Sequence, residues 1–252
     1  MRILALDTTT RAGSVALVED DRLVLERPGD PSRTHAERLP REILSLVESC
    51  GIGTCDVDVF AVASGPGSFT GLRIGIATMQ GLAFVERRPI ISVSALEALA
   101  QIASRDRPAG AVIGTWMDAG RREVFTALYR VASPPPFDPK RLIELEAPSV
   151  GDPASTLARW ATIVTGERTL FAGDGAVQYA ETIRAVASDG RLIGLTEPAP
   201  LAGAIGLMAM SRAALGETPA PADVRPLYVR RPDAEIDRDK RTFATKEAKD
   251  TK

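Results

Sequence analysis

The chain has 252 residues, of which 44% are apolar and 25% are charged. This composition is typical of a folded globular protein and excludes a disordered, collagen-like or fibrous repeat chain. Because 31 lysines and arginines face 33 aspartates and glutamates, the net charge is −2 and no overall basic field draws the chain to nucleic acid.

The start of the chain and its longest apolar run both favour a cytoplasmic protein. Asp7 interrupts the first apolar run, which leaves no room for the core of a signal peptide. The longest nearly uncharged apolar run, residues 74–85, has twelve residues, whereas a membrane span needs about 20. Cys50 and Cys55 are expected to be reduced thiols, because two cysteines and one histidine do not complete a zinc site.

The predicted elements run in the same order twice along the chain. In the first part, apolar runs and helical spacing predict strands at 3–6, 14–18, 23–25, 59–63 and 90–93, and helices at 34–50, 70–86 and 94–104. In the second part, they predict strands at 111–117, 124–129, 142–145 and 169–172, and helices at 153–161, 176–187 and 201–215.

Residue coincidences support an internal duplication. A shift of 111 residues places Asp7 on Asp118, and a shift of 108 residues places Gly65 on Gly173. We therefore predict a first lobe over residues 1–105, a second lobe over 106–219 and a C-terminal segment over 220–252.

The end of the chain differs from the rest in its charge. From position 230 to position 252, 14 of 23 residues are charged, eight of them basic and six acidic. Such a stretch buries too little apolar surface to offset its ordering entropy, so a mobile, solvated tail is expected from about residue 231. A nucleic-acid contact through its basic members is the less favoured alternative.

Two turns that follow acidic strand ends are candidates for a vestigial nucleotide site. In an ATP-binding protein with two lobes, such turns face each other, hold phosphates with backbone N–H groups and position hydrated Mg²⁺ with the acid. The first turn lacks glycine and the second carries two arginines, so the favoured alternative is that the acids only bond their own turns. The candidate residues are Asp7, Thr9, Asp118, Gly173 and Gly175.

The stretch 64–73, Ser-Gly-Pro-Gly-Ser-Phe-Thr-Gly-Leu-Arg, is a strand-to-helix turn rich in glycine and hydroxyl groups. The start of the following helix could attract an anion through its free N–H groups. It is not a P-loop, because no Gly-Lys-Ser/Thr follows. The alternative is a tight, capped turn that only aims the helix.

The helix after this turn is apolar on nearly all sides, which is normally the mark of a helix buried on both faces. One side, which is expected to pack closely on a sheet through its small residues, holds Gly71, Gly75, Thr78 and Leu82, with Met79 and Val85 nearby. The other side carries one full charge and is expected to meet a second chain or, alternatively, another part of this chain.

His35, the single histidine, is expected on the surface. No second histidine or cysteine stands at metal-ligand spacing, and no Ser–His–Asp or Cys–His set is evident.

The segment 62–75, Val-Ala-Ser-Gly-Pro-Gly-Ser-Phe-Thr-Gly-Leu-Arg-Ile-Gly, resembles the signature of the TsaB family. Residues 4–9, 34–40, 118–124 and 226–230 resemble further motifs of that family, so the resemblance spans about residues 1–231. Ala36 replaces a usual serine, and Gly120 interrupts the pattern of the second-lobe turn.

The resemblance implies the fold of the actin-like ATPases and sugar kinases: an α/β protein of two related lobes, each a βββαβα unit, with mixed sheets flanked by helices. It also implies a lapsed active site. The catalytic relative, TsaD, carries a paired-histidine metal motif, which a chain with one histidine cannot supply.

The resemblance further implies a dimerisation subunit that binds TsaD through a helical bundle, with the ATPase TsaE joining at that junction. The complex transfers a threonylcarbamoyl group to the adenosine beside the anticodon of tRNAs. ATP and metal are then expected on the partner subunits, tRNA contact only through the complex, no membrane contact, and a possible homodimer of the free chain. The expected partner-binding residues are Phe69, Arg73, Ile76, Ala77, Gln80 and Phe84.

Two rival functions follow from the same residues. An ATP-dependent phosphotransferase of this fold would use Asp7 and Asp118. A peptidase would depend on His35.

Overall fold

The computed structural model describes residues 1–186, 192–196 and 199–230, and for 192–196 it describes the backbone alone. The charged tail predicted from about residue 231 lies outside the described residues.

The described elements follow the order βββαβαβα in the first half, and the second half repeats this order with its middle helix divided in two. The first half contains β1 (Arg2–Asp7), β2 (Ser14–Glu19), β3 (Arg22–Pro28), α1 (His35–Ser49), β4 (Val59–Gly65), α2 (Phe69–Glu86), β5 (Ile90–Ser94) and α3 (Ala95–Ala103). The second half contains β6 (Val112–Asp118), β7 (Val124–Val131), β8 (Leu142–Gly151), α4 (Pro153–Ile163), β9 (Thr169–Ala172), α5 (Asp174–Gln178), α6 (Ala180–Val186), β10 (Leu192–Thr196) and α7 (Ala202–Ala214).

The two sheets have the same topology. The first has the order β3-β2-β1-β4-β5 and the second the order β8-β7-β6-β9-β10. In each, the first three strands are antiparallel and the last two join in parallel. The predicted α/β fold of two related lobes with mixed sheets is therefore confirmed. Compared with the predicted βββαβα unit, the first repeat has one further strand and one further helix, and the second has one further strand and two further helices.

The last helix of each repeat packs on the sheet of the other repeat. Helix α7 lies on β1 and β2, and α3 has its most extensive contact with β6. Gly206 of α7 lies so close to β2 that a Cβ atom there would be 2.7 Å from a methyl group of Val18. The two sheets thus share one apolar core through these helices. The domain boundaries at 105 and 219 stay predictions.

The sheet register corrects one equivalence within the duplication. Side chains alternate between the two faces of a strand, and Ile3 and Ile113 both point into the shared core. Four residues later, Asp7 in β1 therefore corresponds to Met117 in β6, whereas Asp118 belongs to the opposite face. The expected match of Asp7 with Asp118 is wrong by one residue.

Three elements differ from the sequence prediction. Strand β8 extends to Gly151, because Ser149, Val150 and Gly151 pair with β7 beyond a register irregularity that contains Pro148. The helix predicted at 176–187 is divided at Tyr179 into α5 and α6. Strand β10 was not predicted; it pairs in parallel with β9. No helix of the described residues has the length and hydropathy that crossing a membrane requires.

Candidate functional site

A cleft separates the two lobes where β1, β4, β6 and β9 end. Its main cavity has a volume of about 770 Å³, which lies in the size range of small-molecule sites. A second cavity of about 450 Å³ adjoins it. The end of β6 and the segments that follow β1 and β9 supply lining residues of both cavities: Thr10, Arg11, Met117 and Asp174.

Asp7 bonds the turn that follows it. Its Oδ1 accepts the backbone N–H of Thr9 at 2.8 Å and the hydroxyl of Thr9 at 2.7 Å. Burial of the carboxyl group raises the pKa of Asp7 above its ordinary value, and the two bonds from Thr9 oppose that rise. Both donors of Thr9 are committed to Asp7.

In the second lobe, Asp174 ties two turns together. Its Oδ1 accepts the backbone N–H of Asp118 at 3.1 Å and that of Gly175 at 2.8 Å. Burial raises the pKa of Asp174. Asp118 is exposed and accepts the N–H of Gly120 at 3.0 Å. The sequence analysis did not select Asp174; its place between two glycines after a strand was the available signal.

Close packing accounts for the two candidate glycines of the second lobe. Gly173 has a φ of +114°, and a Cβ atom there would lie 2.1 Å from the carbonyl oxygen of Trp116. A Cβ atom on Gly175 would lie 3.0 Å from the carbonyl carbon of Met117. Both glycines let the turn lie against the end of β6, and neither needs a ligand to explain it.

The first turn offers little to a nucleotide phosphate. Thr9 donates both its N–H and its hydroxyl to Asp7, whereas the hydroxyl of Thr10 accepts the N–H of Gly13 at 3.1 Å and keeps its own proton. In the described part of the chain, no group of three or more His, Cys, Asp or Glu side chains could hold a metal ion. We therefore derive no phosphoryl-transfer step from this cleft.

Helix α2 begins in contact with the first turn. The N–H of Ser68 donates to the carbonyl of Thr9 at 2.8 Å, and the Ser68 hydroxyl accepts the N–H of Gly71 as a helix cap. Cβ atoms on Gly71 and Gly75 would lie 2.2 Å and 2.1 Å from atoms of Thr8. The predicted close packing of this side of α2 is confirmed at these two glycines, and its partner is Thr8, the first residue after β1.

The opposite side of α2 carries an exposed apolar stripe. Ala77 and Gly81 are exposed, and the side chains of Phe84 and Val85 are 78% and 73% exposed. The expectation for Ile76 is wrong, because this side chain is 4% exposed and packs in the first-lobe core. The expected place of Val85, near the packed side of the helix, is wrong as well, because this side chain is exposed.

The chain itself covers part of this side of α2. Gln80 donates to the carbonyl oxygens of Pro221 at 2.6 Å and Val224 at 3.3 Å. Arg73 donates to the hydroxyl of Tyr228 at 3.0 Å, and the rings of Phe69 and Tyr228 lie 5.2 Å apart. The alternative of cover by another part of this chain therefore holds at one edge, where the C-terminal segment lies. Among the described residues, the stripe from Ala77 to Val85 is left uncovered, and its contact with a second chain stays a prediction.

Helix α1 packs beside α2 and adds Leu44, which is 51% exposed. At its start, His35 is buried, so the expected surface position is wrong. His35 Nε2 lies 3.0 Å from the carbonyl oxygen of Thr10, and Nδ1 lies 2.9 Å from Nη2 of Arg38. Because a carbonyl only accepts and a guanidinium only donates, the ring is neutral with its proton on Nε2. His35 thus fixes the first turn.

Comparison with known proteins places this geometry in a family. Residues 27–135 match the family model described as TsaD, tRNA N6-adenosine threonylcarbamoyltransferase. A solved structure from Pseudomonas aeruginosa, described as an uncharacterized protein with similarity to peptidase YeaZ, is 30% identical, with a TM-score of 0.72 over 91% of this chain and 99% of that one. The tRNA threonylcarbamoyladenosine biosynthesis protein TsaB of Escherichia coli is 41% identical over 130 residues. This chain belongs to the TsaB family.

The TsaB match covers 52% of this chain and spans 55% of the E. coli relative. A protein with little sequence identity to this chain shares the fold. Component A of (R)-2-hydroxyglutaryl-CoA dehydratase from Acidaminococcus fermentans is 12% identical, with a TM-score of 0.50 over 86% of this chain and all of that one. That likeness concerns the two-lobed fold alone.

Proposed function

We propose that this chain is the non-catalytic scaffold subunit of the complex that transfers a threonylcarbamoyl group to the adenosine beside the anticodon of tRNAs. In this proposal it acts in the cytoplasm, binds and activates a catalytic TsaD subunit, and meets the ATPase TsaE at the same junction. ATP and metal belong to those partners, tRNA is reached through the complex, and the free chain can pair with a second copy.

The exposed stripe of α2 is the observation that carries this proposal. Two large apolar side chains, Phe84 and Val85, lie in solvent beside the small residues Ala77 and Gly81. Small residues let a second helix approach closely, and large apolar ones at the end of the stripe supply buried area. The neighbouring Leu44 of α1 widens the surface. A pair of helices with such a face is suited to a helical bundle with another chain.

Ala77→Glu tests the proposal, because it forces a charge into the centre of the face. We expect affinity for the catalytic subunit to fall about 100-fold or more, since the carboxylate is buried without a partner. The matched control is Ala161→Glu on the exposed surface of α4, which should bind like the parent chain. Titration by calorimetry with purified TsaD measures both. Unchanged affinity of Ala77→Glu contradicts the proposed face.

Reconstitution tests the scaffold role separately from the face. The catalytic and ATPase subunits are mixed with tRNA, ATP and threonine-derived substrate, with and without this chain, and modified adenosine is counted. We expect modification only when this chain is present. Modification by this chain alone, or MgATP binding that Asp7→Ala abolishes, would instead support an enzyme.

A further inference from the structure

Residues 221–230, here called the strap, are anchored to the first lobe over most of their length. Val224 is 4% exposed and packs in the first-lobe core. The N–H of Leu227 donates to the carbonyl of Ser64, at the end of β4, at 2.7 Å. Together with the bonds from Gln80, these contacts hold the strap along α2 as far as Tyr228.

The last residue of the strap crosses the cleft to the second lobe. Arg230 donates to the carbonyl of Ala119 at 2.7 Å, forms an ion pair with Glu123 and lies over the ring of Phe125 at 5.6 Å. All three partners belong to the turn after β6 or to the start of β7, and Arg230, Ala119 and Phe125 line the cleft. Arg230 therefore fixes the turn after β6, residues 119–123, here called the second-lobe turn, relative to the strap.

Only Val229 separates Tyr228, bonded to α2, from Arg230, bonded to the second lobe. A shift of one anchor is transmitted to the other through the two peptide bonds of Val229, which have little freedom to absorb it. Phe69 and Tyr228, which are 37% and 39% exposed, also leave the α2 anchor open to a neighbouring molecule. The strap thus connects the exposed face of α2 with the opposite wall of the cleft.

We propose that the strap is a latch: contact with Arg73 and Phe69 at the start of α2 displaces Tyr228, withdraws Arg230 from Ala119 and Glu123, and frees the second-lobe turn. The identification of α2 as a partner face rests on the proposed function, but the linkage lies within this chain. A partner carboxylate is the group best suited to release it, because it would draw the Arg73 guanidinium away from Tyr228.

Hydrogen exchange of the full chain alone tests the latch. Two amides of the second-lobe turn report on it, since the N–H of Ala119 bonds Glu123 and the N–H of Glu123 bonds Gly120. Arg230→Gln should speed exchange of the turn about tenfold, because it removes the charge-assisted bonds. Tyr228→Phe, which keeps the ring and loses the hydroxyl, should speed exchange of the same turn about threefold, although Tyr228 hydrogen-bonds only the first lobe.

The matched control is Arg225→Gln, because Arg225 donates to Ala222 and Val224 within the strap. It should leave exchange of the second-lobe turn unchanged. If Tyr228→Phe also leaves that exchange unchanged while Arg230→Gln raises it, Arg230 is a local clamp and the latch is refuted. If neither variant changes it, the strap does not hold the turn. The exchange experiments use this chain alone, so their outcome does not depend on the effect of Ala77→Glu on partner binding. The latch and the proposed function can therefore be refuted independently of each other.

Discussion

The hydroxyl of Ser14, on β2, accepts the backbone N–H of Ala202, 188 residues later in the chain, at 3.0 Å. It also accepts the N–H of Leu201 at 3.2 Å, and the carboxylate of Glu26 accepts the N–H of Gly203 at 2.8 Å. The α7 N-cap residue, Leu201, has no capping side chain of its own. Two residues of the first sheet therefore cap the last described helix and hold it against that sheet.

Ser14→Ala should lower the free energy of unfolding by about 1–2 kcal/mol, because two buried N–H groups of α7 lose their acceptor. Urea unfolding followed by circular dichroism measures the change. Ser45→Ala is the control, since the Ser45 hydroxyl accepts only an exposed bond from Arg27 at 3.2 Å. A Ser14 variant with the midpoint of the Ser45 variant would show that the Ser14 hydroxyl does not hold α7.

Two glycines of α2 should respond in opposite directions to alanine. A Cβ atom on Gly75 would lie 2.1 Å from Oγ1 of Thr8, so Gly75→Ala should cost about 2 kcal/mol through overpacking. Gly81 has no atom within 4 Å of the position of a Cβ, so Gly81→Ala should stabilise the chain by about 0.5–1 kcal/mol. Thermal unfolding of both variants decides the matter; equal effects would mean that α2 does not pack tightly on Thr8.

Arg141 should contribute more to stability than an exposed arginine. Its guanidinium donates to four backbone carbonyls that close the loop before β8 on the end of α3: those of Ser104, Arg107, Ala132 and Pro134. Arg141→Met should cost about 2 kcal/mol or more, because the buried acceptors lose charged donors. Arg141→Lys should recover little, since an ammonium lacks the planar fork. Arg168→Met, at an exposed position, should change the unfolding midpoint little.

The sequence predicts the order of elements well, because apolar periodicity is a local property of each segment. It does not reveal that α3 and α7 exchange sheets, since an apolar helix face suits either sheet equally. It also aligns Asp7 with Asp118, because both are acids at the end of a strand. The sequence does not show that the two strands are offset by one residue, which becomes visible only from the face of the sheet on which each side chain lies. Gly75 and Gly81 look alike in the sequence, and only the position of Thr8 distinguishes them.

In the candidate site, too, some features are predictable from the sequence and others are not. The helical wheel places Ala77 and Phe84 correctly on an exposed face, because that is a property of α2 alone. The position of the strap is not predictable in this way. Gln80 and Pro221 are 141 residues apart, and neither segment has a local sequence pattern that predicts the hydrogen bond between them. Ile76 lies at the margin of the wheel, where a small rotation of the helix decides between core and surface.

His35 makes stability depend on pH in a defined direction. Burial lowers the pKa of His35 below its ordinary value of 6.5, and the Arg38 charge acts in the same direction. Between those two values the unfolded chain binds the proton more readily than the folded chain. Above about pH 6.5, His35 should therefore not reduce the free energy of unfolding. The free energy should decrease as the pH drops from there toward the pKa of the folded chain, and below that pKa His35 should cause no further decrease.

The single histidine makes this prediction simple to check, because the His35 ring gives the one imidazole titration of the chain. Proton NMR should place its midpoint below 6.5, and denaturant unfolding at pH 7 and pH 5 should give a smaller difference for His35→Gln than for the parent chain. The ring faces Arg38 and Glu42 of α1 and Thr10 of the first turn. A proton added to Nδ1 would bring a positive charge against the Arg38 guanidinium, and this repulsion disfavours the charged ring. A midpoint at or above 6.5 would mean that burial and Arg38 do not hold the ring neutral.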